Sequence, residues 1–297
     1  MTATIQHCQI INPPNLLSAQ LEKFKPPFGF FIPKEKAEQV GFQPTLGWEL
    51  QEVEFQGGAK SEGYLATQCR MVIVHRSTIE VQGLDEKGRY YYLGNAYQNG
   101  QITDLGQQAK SSPKVGTKPM FRTITRMLLF FLDKGNGLLH KSPLQFTSRG
   151  GFGGSFGMEL REYHDEINRV FGKLRKKSGM SLSPAGLARV AIDFELGYHK
   201  AEDKAPFVCV KSRLAPAIDQ VGVVKSVERR GYSVQLKGVP IEELLISSAS
   251  NTGNAIMEFY KQYEKFPLPM RGQLLEPEPE SQSDEWVESP KEWDGEF

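Results

Sequence analysis

Met120-Phe-Arg-Thr-Ile-Thr-Arg-Met-Leu-Leu-Phe-Phe-Leu132 is the stretch on which the fold turns. It follows Pro119, a residue suited to the first turn of a helix, and closes with the longest purely apolar run of the chain, Met127 to Leu132. Ile124, Met127, Leu128 and Phe131 recur at i, i+3, i+4 and i+7, so the spacing predicts a helix with one buried stripe. Asp133-Lys-Gly-Asn-Gly137 would stop it. Arg122 and Arg126, four apart, would share a face of that helix. Six apolar residues fall far short of the roughly 20 needed to cross a bilayer.

On either side of this stretch the pattern reads as strands. Upstream, Trp48, Leu50, Val53 and Phe55 suggest a strand broken by Gly57-Gly58. Leu65 to Val81 is rich in β-favouring residues and ends at Gly83. Asp85-Glu-Lys-Gly88 reads as a hairpin turn into Arg89-Tyr-Tyr-Tyr-Leu93, and residues 107–118 as a polar flexible loop. Downstream, the glycine-rich run from Arg149 to Gly157 reads as a loop that opens a helix over Met158–Lys177. Ala188–Leu196 and Phe207–Lys211 read as strands, and Val221–Val227 and Tyr232–Leu236 flank a hairpin tip at Glu228-Arg-Arg-Gly231. A last helix spans about Thr252–Phe266, with Ile256, Phe259, Tyr260 and Tyr263 inward and Pro267 and Pro269 as stops. The order β, α, β, α predicts an α+β fold, an antiparallel β-rich core with three helices. A partly open barrel of the oligonucleotide-binding kind is compatible with it. Residues 1–28, interrupted by Pro13-Pro14 and Pro26-Pro27, read as an irregular arm, 29–270 as a basic globular body and 271–297 as a disordered acidic tail.

A formal net charge of +1 over 297 residues hides a division. Residues 276–297 hold nine acids against one base, Lys291, a net of −8; the other 275 residues hold 35 bases and 26 acids, a net of +9. A basic body suits a polyanion such as nucleic acid. Cys8, Cys69 and Cys209 are odd in number and far apart, which implies neither a disulfide framework nor a zinc site and suits a reducing cytoplasm. The N-terminus carries no basic region followed by an apolar one, so no signal peptide is expected.

The tail cannot bury enough apolar area to fold alone, yet it keeps Trp286, Trp293 and Phe297, and two of the three tryptophans of the protein lie in it. Its end, Asp294-Gly295-Glu296-Phe297, resembles the acidic, aromatic-ending tails of bacterial and phage single-stranded DNA-binding proteins. The resemblance covers the last 10 to 20 residues and departs from the usual Asp-Ile-Pro-Phe ending, since Glu296 precedes Phe297 and no proline stands there. It implies that Trp293 and Phe297 anchor replication or repair partners, with Asp294 and Glu296 as the electrostatic rim, and that the tail competes with DNA for the basic groove. A terminal carboxylate beside an aromatic ring suits an apolar pocket edged by Arg or Lys.

The body offers matching candidates. Arg149-Gly-Gly-Phe-Gly-Gly-Ser-Phe-Gly157 resembles the Arg/Phe-Gly-Gly segments that line single-stranded nucleic acid; its glycines would let the backbone approach phosphates, and Phe152 and Phe156 would stack on bases. Arg70, Arg76, Arg89 and Tyr91 interleave cations and a ring on the first β-section, where strand alternation lets either Tyr91 or the pair Tyr90/Tyr92 face outward. Arg122 and Arg126 would add phosphate contacts. Lys173, Arg175, Lys176 and Lys177 end the middle helix, where cations also suit the helix dipole, and Arg229, Arg230 and Tyr232 sit at a hairpin tip.

Together these features point to a sequence-tolerant single-stranded DNA-binding protein that recruits partners through its tail, works without a cofactor and is not an enzyme. A single-strand annealing protein or an RNA-binding component of a ribonucleoprotein is the alternative, and a homo-oligomer is compatible with either. A metal-dependent nuclease is the third reading. For it, His164-Asp165-Glu166 and His199 with Glu202 and Asp203 are conceivable ligands, and no HxH, HExxH or paired DxD spacing supports them.

Overall fold

A computed structural model describes residues 29–55, 58–96, 104, 114–115, 118–176, 182–200, 207–229 and 231–266. In chain order the strands are β1 (Phe30–Pro33), β2 (Glu49–Glu54), β3 (Lys60–Ala66), β4 (Gln68–Arg76), β5 (Glu80–Leu84), β6 (Tyr90–Asn95), β7 (Lys114–Val115), β8 (Lys118–Pro119), β9 (Phe121–Leu132), β10 (Leu144–Arg149), β11 (Ile192–His199), β12 (Phe207–Ala217), β13 (Val224–Arg229) and β14 (Tyr232–Pro240). The helices are α1 (Lys34–Val40), α2 (Gly150–Leu174), α3 (Pro184–Leu187), α4 (Ile241–Leu244) and α5 (Asn251–Gln262). The fold is α+β. A nine-stranded open sheet runs β13-β14-β12-β11-β4-β9-β5-β6, with β10 on the other edge of β9. Every pairing in it is antiparallel except β12 with β14. A three-stranded sheet, β1-β3-β2, and a small β7-β8 ribbon complete the strands.

The stretch read as a helix, Met120–Leu132, is β9, the centre of the main sheet. Met127, Leu129 and Phe131 enter the core beneath α2, while Leu128, Phe130 and Leu132 enter a second core that includes Ile256 of α5. A strand covered on both faces shows no alternation, and its continuous apolar run imitates a buried helix. The pairing partners hold it extended. β4 and β5 lie end to end along one edge of β9, Met71 opposite Phe131 and Gln82 opposite Arg122, and β10 takes the other edge.

The glycine-rich run read as a loop is the start of α2, which begins at Gly150 rather than at Met158. Phe152 and Phe156 therefore point inward, stacked on each other with centroids 5.3 Å apart, and Phe156 meets Phe194 of β11 at 5.2 Å. The glycines permit close approach: a Cβ on Gly151 would lie 2.7 Å from the Phe207 ring. Glycine costs about 1 kcal/mol in a helix relative to alanine, and burial of two phenylalanines offsets that.

Ion pairs fasten α2 to the sheet. Arg213 of β12 donates to Glu159 at 2.8 Å and to both oxygens of Glu166, and Arg229 of β13 donates to the other oxygen of Glu159 at 2.7 Å. Burial opposes the Arg213 charge, and the two carboxylates outweigh it, so its pKa is raised. On the opposite face α5 is capped by Ser250, whose Oγ accepts from the Gly253 N–H at 3.0 Å. The hairpin at Asp85–Gly88 forms as read, and Gly88 carries the positive φ of 70° that the turn requires. The run from Leu65 to Val81 divides into β3, β4 and β5, β11 begins only at Ile192 and β13 only at Val224, and Lys114–Val115 and Lys118–Pro119, within the stretch that reads as a loop, pair as β7 and β8. No described helix is long and apolar enough to cross a membrane. The 1–28 arm and the 271–297 tail lie outside the described residues.

Candidate nucleic-acid interface

The first half of β9 carries arginines where the second half carries leucines. Arg122 and Arg126 do share a face, by strand alternation rather than by helical spacing. It is the face on which Leu128 and Phe130 meet the α5 core. Directly opposed residues of antiparallel strands share a face, and the registers carry this surface across four strands. Gln82 of β5 stands opposite Arg122, Tyr92 of β6 opposite Gln82, and Glu80 of β5 and Arg149 of β10 flank Ile124. Three arginines, one glutamate, one glutamine and two tyrosines are thereby gathered at one end of the sheet.

Their contacts are unequal. Arg126 is buried and its Nε donates to Glu80 Oε1 at 2.7 Å, an ion pair 7% and 1% exposed. Glu80 Oε2 is buried with no hydrogen-bond partner among the described residues. Arg122 has neutral partners: its Nε donates to Gln82 Oε1 at 2.8 Å, and its guanidinium carbon lies 3.5 Å from the centre of the Tyr90 ring. Tyr90 is itself fixed, its hydroxyl donating to the Pro119 carbonyl at 2.7 Å. Burial and the neighbouring Arg149 pull the Arg122 guanidinium down to about 9, and burial lowers Arg149 as well. A guanidinium stays charged in practice, so the depression measures the strain of keeping that charge in place. An anion between Arg122 and Arg149 would relieve it.

Other residues singled out from the sequence are dispersed or committed elsewhere. Arg70 is nearly buried, donating to Asn136 at 2.7 Å, to Asp193 at 3.4 Å and to the Glu243 carbonyl. Arg229 is held by Glu159, and Tyr232 is buried with its hydroxyl on Ser155 Oγ at 2.8 Å. Phe152 and Phe156, expected as stacking faces, are 6% and 1% exposed and present no ring to a ligand. Arg89 is exposed and paired with Asp85. Tyr91 is exposed on the face opposite the arginines, its ring over Gly83. Lys173, Arg175 and Lys176 are exposed at the end of α2, with Arg175 5.4 Å from the Phe171 ring centre. Arg76 is exposed on β4 near His164, and Asp165 is exposed beside them. Lys177, Glu202, Asp203, Arg230, Trp293, Asp294, Glu296 and Phe297 lie outside the described residues.

The sequence pattern offers Tyr90 and Tyr92 as one of two possible outward faces, and the structure places that pair with the arginines; Glu80 and Gln82 were missed as their partners. Glu80 and Gln82 alternate with Val81 and Gly83, and that two-residue period was the available signal.

An open mixed sheet with helices on both faces, and one end of one face crowded with guanidiniums, defines an α+β protein with a cation-rich sheet surface. The chain belongs to the family described as Domain of unknown function (DUF5895), whose model matches residues 4–184. That segment contains the whole arginine cluster, while β11 to β14 and α5 lie beyond it. No curated protein and no solved structure matches the chain.

Proposed function

We propose that the chain binds single-stranded nucleic acid with little sequence preference, through the arginine–tyrosine face of β5, β6, β9 and β10. The observation that carries the reading is Arg122, a largely buried cation beside Arg149 whose own partners, Gln82 and Tyr90, are neutral. Phosphate oxygens meet that need, and guanidiniums donate to them bidentately. The +9 charge of the residues before 276 supports a polyanion. Recruitment of replication or repair proteins through the Phe297 end rests on the resemblance of the tail. The free, buried thiols of Cys69 and Cys209 suit a reducing cytoplasm.

Fluorescence anisotropy of labelled single-stranded DNA, duplex DNA and RNA at two salt concentrations tests the reading. Single strands should bind most tightly, and the affinity should fall steeply with salt. A consistent preference for RNA would move the assignment to a ribonucleoprotein component. Absence of binding at low salt would end the reading.

A further inference from the structure

A second site lies on the other half of β4. β11 pairs with β4 only from Ile192, opposite Met71, to Glu195. Upstream of Ile192 the chain turns away, Ala191 N–H donating to the Leu244 carbonyl at 2.7 Å and Val190 bridging to Leu245. The departure leaves a cleft of about 230 Å³ between β4, the 190–192 segment, α2 and α5.

A bulge decides what lines it. The register of β4 on β9 shifts between Ile73 and His75. His75 is thereby placed on the α5 side, stacked on Tyr260 at 4.5 Å with its Nε2 2.7 Å from the Tyr260 carbonyl. Arg76 returns to the α2 side, beside Gly157 and His164. Ile73, Val190 and Ile192 supply aliphatic surface, and the titratable side chains among the described lining residues are Arg76, His75, His164, Tyr163 and Tyr260. Arg76 and the adjacent Asp165 act on His164 directly, and His75 of β4, Tyr163 of α2 and Tyr260 of α5 line the cleft with it. Burial, and after it Arg76, lower the His164 pKa against the opposing charge of Asp165.

We propose that this cleft binds a small organic anion, a phosphate or carboxylate on a compact apolar or planar body. Arg76 and His164 hold the anion, and Ile73, Val190, Ile192 and the Tyr260 ring enclose the body. The volume is below the roughly 300 Å³ at which drug-sized pockets begin, which suits a small metabolite rather than a large cofactor. The site depends on neither Arg122 nor strand binding.

Calorimetric titration of the full chain with phenyl phosphate, benzoate and inorganic phosphate tests it. At least one aromatic anion should bind saturably and shift the His164 ring signals in NMR, and the comparison of the two separates phosphate from carboxylate. Arg76→Gln and His164→Gln, at positions outside the core, should each weaken binding at least fivefold, while Lys225→Gln, on the exposed surface of β13, leaves it unchanged. The proposal falls if neither aromatic anion saturates at millimolar concentration, if Arg76→Gln binds as the parent does, if Lys225→Gln abolishes binding, or if inorganic phosphate binds as tightly as phenyl phosphate.

Discussion

The guanidinium carbon of Arg122 lies over the Tyr90 ring, 3.5 Å from its centre, while its Nε is held by Gln82. The cation is oriented before any ligand arrives, so little rotamer entropy remains to be lost on binding. Arg122→Gln should weaken single-strand affinity roughly tenfold and lower the salt slope by about one counterion, as read by anisotropy against salt. Arg122→Lys should recover only part of the loss, because an ammonium cannot reproduce the planar contact. Full recovery by lysine would reduce the site to a point charge.

The acids of the tail offer a second test. If residues 276–297 compete for the arginine face, replacing their nine carboxylates by amides should tighten strand binding, most clearly at low salt, where screening is weakest. Equal affinities for the two proteins would separate the tail from the interface.

Glu159 is shared by two arginines, and its removal takes the carboxylate from Arg229 and leaves Arg213 to Glu166 alone. Arg213 is 1% exposed. Glu159→Ala should cost about 3–5 kcal/mol in urea unfolding, without a selective effect on strand affinity. A loss under 1 kcal/mol would show that Glu166 alone suffices for Arg213.

His140 links stability to pH. Its Nε2 accepts from the Phe131 N–H at 2.9 Å and its Nδ1 meets the Ser142 carbonyl at 2.6 Å, so the folded protein needs the neutral ring. Burial lowers its pKa from 6.5 to about 4. The unfolded chain then binds the proton more readily, so this contribution is complete above about pH 6.5 and is lost as pH falls from there toward 4. Its size is about 3 kcal/mol at the rate of 1.4 kcal/mol per unit. Urea midpoints at pH 7.5, 5.5 and 4.5, compared with His140→Gln, should converge at the acid end. Parallel pH curves for the two proteins would contradict this.

Phe156→Ala should destabilise by about 3–5 kcal/mol, whereas Tyr91→Ala, at an exposed ring, should cost far less. Thermal unfolding of the two variants would distinguish the interior ring from the surface one.

The sequence revealed most where only one side of an element is buried. The Asp85–Gly88 hairpin, the β13–β14 hairpin and α5 show their periods plainly. β9 did not, because two cores claim alternate residues and erase the alternation that identifies a strand. The start of α2 is hidden because its glycines suggest flexibility, whereas at Gly151 glycine leaves room for Phe207. The arginines were legible as residue types, and their company was not. Arg122 and Arg126 sit 40 or more positions from Gln82 and Glu80, and only the register of β5 on β9 brings them together.

The apolar stripe of α2 rests on a floor laid largely by residues that come later in the chain: Phe194, Leu196, Cys209, Val210 and Val234. In a chain cut at residue 184, where the family model ends, the helix would lack that later part of its bed. Phe156, Leu160, Tyr163 and Ile167 would then face water instead of the strands that follow.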